Sequence, residues 1–191
     1  MRIIAGSLKN MEIKAPKGSK TRPTSSKVRE AIMSMLLPWL DEAVIIDIFA
    51  GSGGFGLEAL SRGSSKVLFI EKDSGTCAIL KSNISNAKNR DPGIECTVKK
   101  LDAFKLSEKL ASEYLEPTIV WADPPYEIAK SWIEHYLSKN LMFPACNGCL
   151  VIECSSKDAQ EIESLVNEHP MFDVVKVKKY GDTSIIVSSR G

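Results

Sequence analysis

Two hydrophobic periods alternate along the chain from residue 44 onward: short β-branched apolar runs, and segments whose apolar residues fall three and four positions apart. The runs Val44 to Phe49, Lys66 to Glu71, Ile94 to Lys99, Thr118 to Asp123 and Cys149 to Cys154 predict strands. Between and after them, Gly54 to Arg62, Asp73 to Ala87, Lys105 to Tyr114, Glu127 to Lys139 and Ala159 to Asn167 predict helices. The fourth of these helices turns Ile128, Trp132, Ile133, Tyr136 and Leu137 toward a sheet. Phe172 to Lys179 and Thr183 to Ser188 predict a closing hairpin around Gly181 and Asp182. Upstream, Arg2 to Ala5 and Met11 to Lys14 predict a hairpin across Gly6, Ser7 and Asn10. A helix follows with Val28, Ala31, Ile32, Met35 and Leu36 on its apolar face, Lys27, Arg29 and Glu30 elsewhere, and Pro38 as its end. This order predicts an α/β doubly wound fold with a mostly parallel sheet and an antiparallel finish. Such sheets bind ligands at the carboxyl ends of their strands, where strand order reverses.

The 191 residues suit a single domain with a small appendage, and 43% apolar with 26% charged residues is ordinary globular composition. The longest apolar stretches, such as Ala43 to Ala50, are far short of the ~20 residues that cross a bilayer, and no signal sequence opens the chain. A cytoplasmic protein without membrane contact is the expectation. Cys77, Cys96, Cys146, Cys149 and Cys154 are odd in number and read as reduced thiols. The Cys146–Cys149 spacing would suit zinc or redox chemistry, but zinc needs about four ligands; His135 and His169 lack ligand spacing and read as surface residues, so no metal is expected.

Net charge is +1, yet residues 1–30 carry +6 and the remainder −5. A basic terminal module on a mildly acidic body suits a phosphate-seeking arm on a catalytic domain. It divides the chain into a basic hairpin and loop over residues 1–24 and a catalytic domain over 25–191.

Candidate chemistry falls just after predicted strands. Asp47 through Gly56 leaves the first strand through Gly51-Ser52-Gly53-Gly54 and opens a helix, so bare backbone and helix amides can meet a ligand. The spacing also satisfies GxGxxG, and Glu71, at the end of the next strand, suits both hydroxyls of a ribose, so a nicotinamide cofactor is a legitimate reading. Asp47 would be poorly placed beside a pyrophosphate but well placed for a cationic amino-acid moiety, and a third acid, Asp102, precedes Ala103 and Phe104, where an adenine could be met. This order of acid, glycine loop, acid, acid resembles the class I S-adenosylmethionine-dependent methyltransferases. The resemblance implies a Rossmann-like, mostly parallel seven-stranded sheet with S-adenosyl-L-methionine as cofactor. Asp47 and the loop Phe49, Ala50, Gly51, Ser52 and Gly53 would face its methionine part, Glu71 with Lys72 its ribose, and Asp102 with Ala103 its adenine.

Thr118 to Ala122 runs straight into Asp123-Pro124-Pro125-Tyr126, the most specific signal in the chain. Two prolines make a rigid turn with fixed carbonyls. The Asp123 carboxylate and Pro124 carbonyl can accept both N–H groups of an exocyclic amine, and Tyr126 can stack on an extruded base. Together with Met1-Arg2-Ile3-Ile4-Ala5-Gly6, Lys20-Thr21-Arg22-Pro23-Thr24, Val28-Arg29-Glu30-Ala31, Asp47 through Gly63, and Tyr180-Gly181-Asp182-Thr183, this motif resembles the bacterial 16S ribosomal RNA guanine-N2 methyltransferase family, small subunit methyltransferase D. The resemblance spans nearly the whole chain. It implies methylation of N2 of a single guanine, the guanine 966-type site, in 16S rRNA of the 30S subunit by a monomeric enzyme. Arg2, Lys20, Arg22, Thr24, Lys27 and Arg29 would hold the RNA. Gly54-Phe55 departs from the smaller residues expected there. An adenine-N6 DNA methyltransferase would use the same acceptor pair, but about 40 residues before the first core strand leave little to read a DNA sequence. A non-catalytic RNA-binding assembly factor is the other alternative.

Overall fold

The computed structural model describes residues 1–16, 26–111, 113, 118–139 and 148–190, apart from the side chains of Ser26, Lys27, Ala111 and Thr118. Strands β1 (Val44–Ile48), β2 (Lys66–Glu71), β3 (Glu95–Lys100), β4 (Thr118–Ala122), β5 (Cys149–Ser155), β6 (Phe172–Tyr180) and β7 (Thr183–Arg190) form a seven-stranded sheet in the order β3-β2-β1-β4-β5-β7-β6. The first five are mutually parallel; β7 runs antiparallel to both β5 and β6. Chain order therefore reverses between β1 and β4, and the carboxyl ends of those two strands open the crevice expected of a doubly wound sheet.

Helices cover both faces, which is why β1 is buried at every position and reads as a continuous apolar run. Ile45, Phe69, Ile119, Trp121, Val151 and Ile185 point into one core with helices α1 (Ser26–Leu40), α2 (Gly54–Ser61) and α3 (Ser74–Arg90). Their strand neighbours Ile46, Leu68, Val120, Ala122 and Ile152 point into a second core with α4 (Glu108–Ala111), α5 (Tyr126–Ser138) and α6 (Ala159–Asn167). No helix among the described residues is long and apolar enough to cross a membrane.

Three local expectations are corrected. Helix α1 continues through Pro38 to Leu40: a proline in the last turn forfeits one hydrogen bond, while Leu40 is fully buried and Trp39 packs against the first core. Arg29 lies on the buried face of α1, which is formed by Arg29, Ile32, Met33, Leu36 and Leu40, with Val28, Ala31 and Met35 at its margin. The single helix expected over 105–114 is a 3₁₀ turn, Ala103–Lys105, followed by the four-residue α4. Separate caps break it: the Asp102 carboxylate accepts the Phe104 N–H at 3.1 Å, and Ser107 Oγ the Leu110 N–H at 3.4 Å.

The amino-terminal segment doubles back on itself, with Arg2 bridged to Glu12 and the Ile3 N–H donating to the Met11 carbonyl at 3.0 Å. Ile3, Leu8, Met11 and Ile13 are buried in the first core. Residues 1–16 thus pack as part of one helical layer, while the boundary expected at residue 24 lies outside the described residues.

Candidate active site

The turn after β1 is built from left-handed backbone: φ is +65° at Phe49, +55° at Gly51 and +83° at Gly53. Glycine adopts this without penalty; Phe49 does not, and its ring is held edge-on to Trp132 with centroids 5.2 Å apart. The loop is tied down by the Ala50 N–H to the Ile70 carbonyl (2.9 Å), the Gly53 N–H to the Ala50 carbonyl (2.8 Å) and the Gly51 N–H to Glu71 Oε2 (3.0 Å). Asn83, fully buried on α3, donates from Nδ2 to the carbonyls of Ser52 and Lys14, each at 2.9 Å, and accepts the Lys14 N–H at 3.0 Å. It joins the loop to the amino-terminal segment.

Asp47 lies beneath this loop at 1% exposure. Its Oδ2 accepts the Gly56 N–H at 3.0 Å, supplying the acceptor that Gly53, at the N-cap of α2, lacks. Burial, with Glu71 adding to it, pushes the Asp47 carboxyl up to about 7. Phe55, the departure from the expected small residue, stacks on Trp121 at 4.1 Å and 7°. Beside it, Gly54 lies against the end of the Met1 side chain, where a Cβ would come 2.1 Å from Met1 Cε.

Glu71 is half-buried; its two oxygens accept the Gly51 and Asp73 N–H groups. A carboxylate has about four acceptor positions, so capacity for a vicinal diol remains. Lys72 is exposed. Beyond β3, Asp102 is half-buried and Ala103 buried. Their turn is pinned by α5: Trp132 Nε1 donates to the Ala103 carbonyl at 3.4 Å, and His135 Nε2 lies 2.8 Å from the Phe104 carbonyl. His135, expected at the surface, is therefore half-buried beside the Phe104 ring.

Across the crevice, β4 runs into half-buried Asp123, followed by buried Pro124 and exposed Pro125, whose carbonyl accepts the Ile128 N–H at 3.0 Å and starts α5. The Tyr126 ring is 42% exposed, and its hydroxyl shares a 2.6 Å hydrogen bond with Thr183 Oγ1. The Asp-Pro-Pro-Tyr and Tyr-Gly-Asp-Thr segments, 57 residues apart, thus meet. Burial, then the nearby Glu153 and Asp47 carboxylates, hold the Asp123 carboxyl well above the usual carboxylate range. The partly exposed acids Glu71, Asp102 and Asp123 at the strand ends favour a cationic ligand, whereas Asp47, expected to face its methionine part, is buried under the loop and reaches it only through the backbone. S-adenosylmethionine, with its sulfonium and ammonium centres, suits that donor set.

The basic residues divide. Arg2 is exposed. Lys20, Arg22 and Thr24 lie outside the described residues, as does the side chain of Lys27. Arg29 is only 4% exposed: Nη1 meets Met1 Sδ at 2.6 Å, Nη2 donates to the Arg2 carbonyl at 3.0 Å, and burial lowers its pKa despite Glu58 nearby. In the described structure it braces the amino-terminal segment. Of the Cys-x-x-Cys pair, Cys146 is outside the described residues, and burial pushes the Cys149 thiol up to about 12, so it stays protonated at neutral pH. Among the described residues no group of three or more His, Cys, Asp or Glu could hold a metal ion.

The family model described as Conserved hypothetical protein 95 matches residues 1–189. Over 159 residues the chain is 30% identical to Ribosomal RNA small subunit methyltransferase D of Haemophilus influenzae, covering 80% of this chain and 78% of that one. The chain belongs to the small subunit methyltransferase D family. YlbH of Bacillus subtilis, 38% identical over 130 residues, shares 68% of this chain and 69% of its own length. The yhhF structure from Escherichia coli superposes with a TM-score of 0.76 at 24% identity, covering all of this chain and 97% of that one. The fold is that of the class I S-adenosylmethionine-dependent methyltransferases. Sequence reasoning missed Asn83, Glu58 and Glu153. Glu58 and Glu153 each interrupt an apolar stretch, in Gly54–Ser61 and Cys149–Ser155, whereas Asn83, among Lys81, Ser82, Ser85 and Asn86, gives no such signal.

Proposed function

We propose that this member of the small subunit methyltransferase D family transfers a methyl group from S-adenosylmethionine to the exocyclic N2 of one guanine of 16S rRNA, the guanine 966-type site. The observation that carries this reading is the rigid Asp123-Pro124-Pro125-Tyr126 turn at the end of β4, beside the β1 glycine loop at the reversal of strand order, with the Tyr126 ring exposed and anchored by Thr183. The names of the relatives, which specify small-subunit ribosomal RNA, support the substrate class.

S-adenosylmethionine supplies an electrophilic methyl group. Glu71 and Asp102 would hold its ribose and adenine, and the Gly51–Gly53 loop its methionine part. An exocyclic amine is a poor nucleophile because its lone pair is delocalised into the base. Asp123 and the Pro124 carbonyl accept its N–H groups and aim the nitrogen for in-line attack, while the Tyr126 face receives the base. Alignment supplies most of the rate, with no strong base needed beforehand.

The test is incubation with radiolabelled S-adenosylmethionine and undermethylated 30S subunits, free 16S rRNA or duplex DNA, followed by digestion and identification of the labelled nucleoside. N2-methylguanosine from the ribosomal substrate is expected. N6-methyladenine in DNA would make this an adenine methyltransferase, and no label despite cofactor binding would leave an RNA-binding assembly factor. Asp123→Ala should lower transfer on the order of 100-fold or more, with cofactor affinity within a few-fold by calorimetry.

A further inference from the structure

Glu153 is the only charged residue of β5, and it is 5% exposed. In the parallel β4–β5 pair, Ala122 stands opposite Ile152, so Asp123, the first residue after β4, comes beside Glu153 within β5. Trp121 and Val151, one pleat earlier, both face the first core, which places the two acids on the same face of the sheet. On its other side Glu153 is paired with Ile185 of β7. The two residues occupy neighbouring positions on strands whose backbones run about 5 Å apart, and burial together with the Glu153 charge raises the Asp123 carboxyl, so the two cannot both ionise cheaply.

We propose that Glu153 is a positioning residue that shares a proton with Asp123, keeping the Asp123 carboxylate directed at the substrate amine and more basic than an isolated one. The inference rests on the reading of Asp123 as the acceptor for that amine. In the transfer step the C–N bond forms as the S–C bond breaks, and the bonding pair stays on sulfur, leaving a neutral thioether. One N–H proton passes from the nitrogen to Asp123 and on to solvent. Among the described residues, the other ionisable groups acting on the pair are Asp47 of β1, with Glu71 of β2 behind it, and Tyr126 of α5; Cys154, next in β5, lies on the opposite face. Asp47 adds to the effect of Glu153 on Asp123.

The test compares the full-length wild type with Glu153→Gln in two ways. In ¹³C-carboxyl NMR titrations without substrate, wild-type Asp123 should titrate in two linked steps, the upper well above the usual carboxylate range. In the variant it should titrate once, at least about one pH unit lower. In pH–rate profiles on 30S subunits, the acid limb of kcat should shift the same way. Plateau kcat should fall about tenfold while KM for S-adenosylmethionine stays within twofold. An Asp123 titration identical in the two proteins overturns the proposal. Should the variant not fold, a single ordinary carboxylate titration of Asp123 in the wild type overturns it just as well. Absence of methyl transfer by the wild type would overturn the functional reading instead, because the NMR titration reports proton sharing without turnover.

Discussion

Asp47 puts a number on the strain of assembling this site. Its carboxyl, buried under the glycine loop, is pushed up to about 7, whereas in the unfolded chain it titrates near 4. The folded state therefore holds a proton that the unfolded state has released between those values, and stability falls as pH rises from about 4 through about 7. The full span corresponds to about 4 kcal/mol as an upper bound. Asp47→Asn keeps an oxygen for the Gly56 N–H and removes the charge. It should be about 1–3 kcal/mol more stable than the wild type at pH 8 and indistinguishable near pH 4.5, as read from urea denaturation at both pH values. A stability gain of equal size at both pH values would mean that packing, and not ionisation, is being measured. Gly6 shows strain of another kind. Its φ is +82°, and a Cβ there would fall 1.5 Å from the Ser61 carbonyl oxygen, which is backbone and cannot move aside. Gly6→Ala should lose about 3 kcal/mol or more in the same experiment. Gly54→Ala meets only the flexible end of Met1 and should lose less.

The amino-terminal segment and α2 form one unit through side chains that the hydrophobic pattern does not advertise. Glu58, wholly buried, accepts the N–H groups of Ile4 (2.8 Å) and Ala5 (3.2 Å) and pairs with Arg62 at 2.8 Å. Ser61 Oγ accepts the Leu8 N–H at 2.9 Å. Asn83 closes the far side, bonding to both Lys14 and Ser52. Asn83→Ala removes the side-chain partner of three partly buried backbone groups and should lose about 1–3 kcal/mol. Because Ser52 belongs to the glycine loop proposed to hold S-adenosylmethionine, it should also weaken S-adenosylmethionine binding severalfold in calorimetry; unchanged affinity would mean that the loop holds its shape without α3. This linkage explains what the sequence reveals and what it conceals. Lys66–Glu71 and Ala159–Asn167 match their predicted spans to the residue, because periodicity and turn residues act locally there. The Asp-Pro-Pro-Tyr turn and the glycine loop are legible for the same reason. Arg29, Glu58 and Glu153 are not, because each is buried by partners remote in the chain, and a charged letter reads as surface until those partners are placed. Helix α1 outruns Pro38 because the burial of Trp39 and Leu40 outweighs one missing hydrogen bond.

Viewed over the whole molecule, the excess of positive charge in residues 1–30 sits partly on a fixed platform, not on a free arm. Met1 touches Gly54 at the start of α2, residues 4–8 reach Glu58 and Ser61 toward its other end, and Lys14 returns to Asn83 beside the glycine loop. With a rise of about 1.5 Å per residue, α2 separates the two ends by about 10 Å. Arg2 and Lys14, both exposed, therefore lie at the crevice end of the sheet, and Lys9, also exposed, at the remote end. On the proposed reading, the acidic crevice would repel RNA phosphates, and cations at its rim would draw the backbone in while the base enters. Each phosphate contact contributes about 0.7–0.9 to the slope of log affinity against log salt. Replacing Arg2 and Lys14 together by alanine should therefore reduce that slope by about 1.5 for binding to undermethylated 30S subunits, whereas Lys9→Ala should leave it unchanged. Filter binding at several salt concentrations separates the possibilities. An equal loss from Lys9→Ala would extend the RNA track along the whole segment, and no loss from the Arg2 and Lys14 replacement would confine phosphate contacts to other parts of the chain.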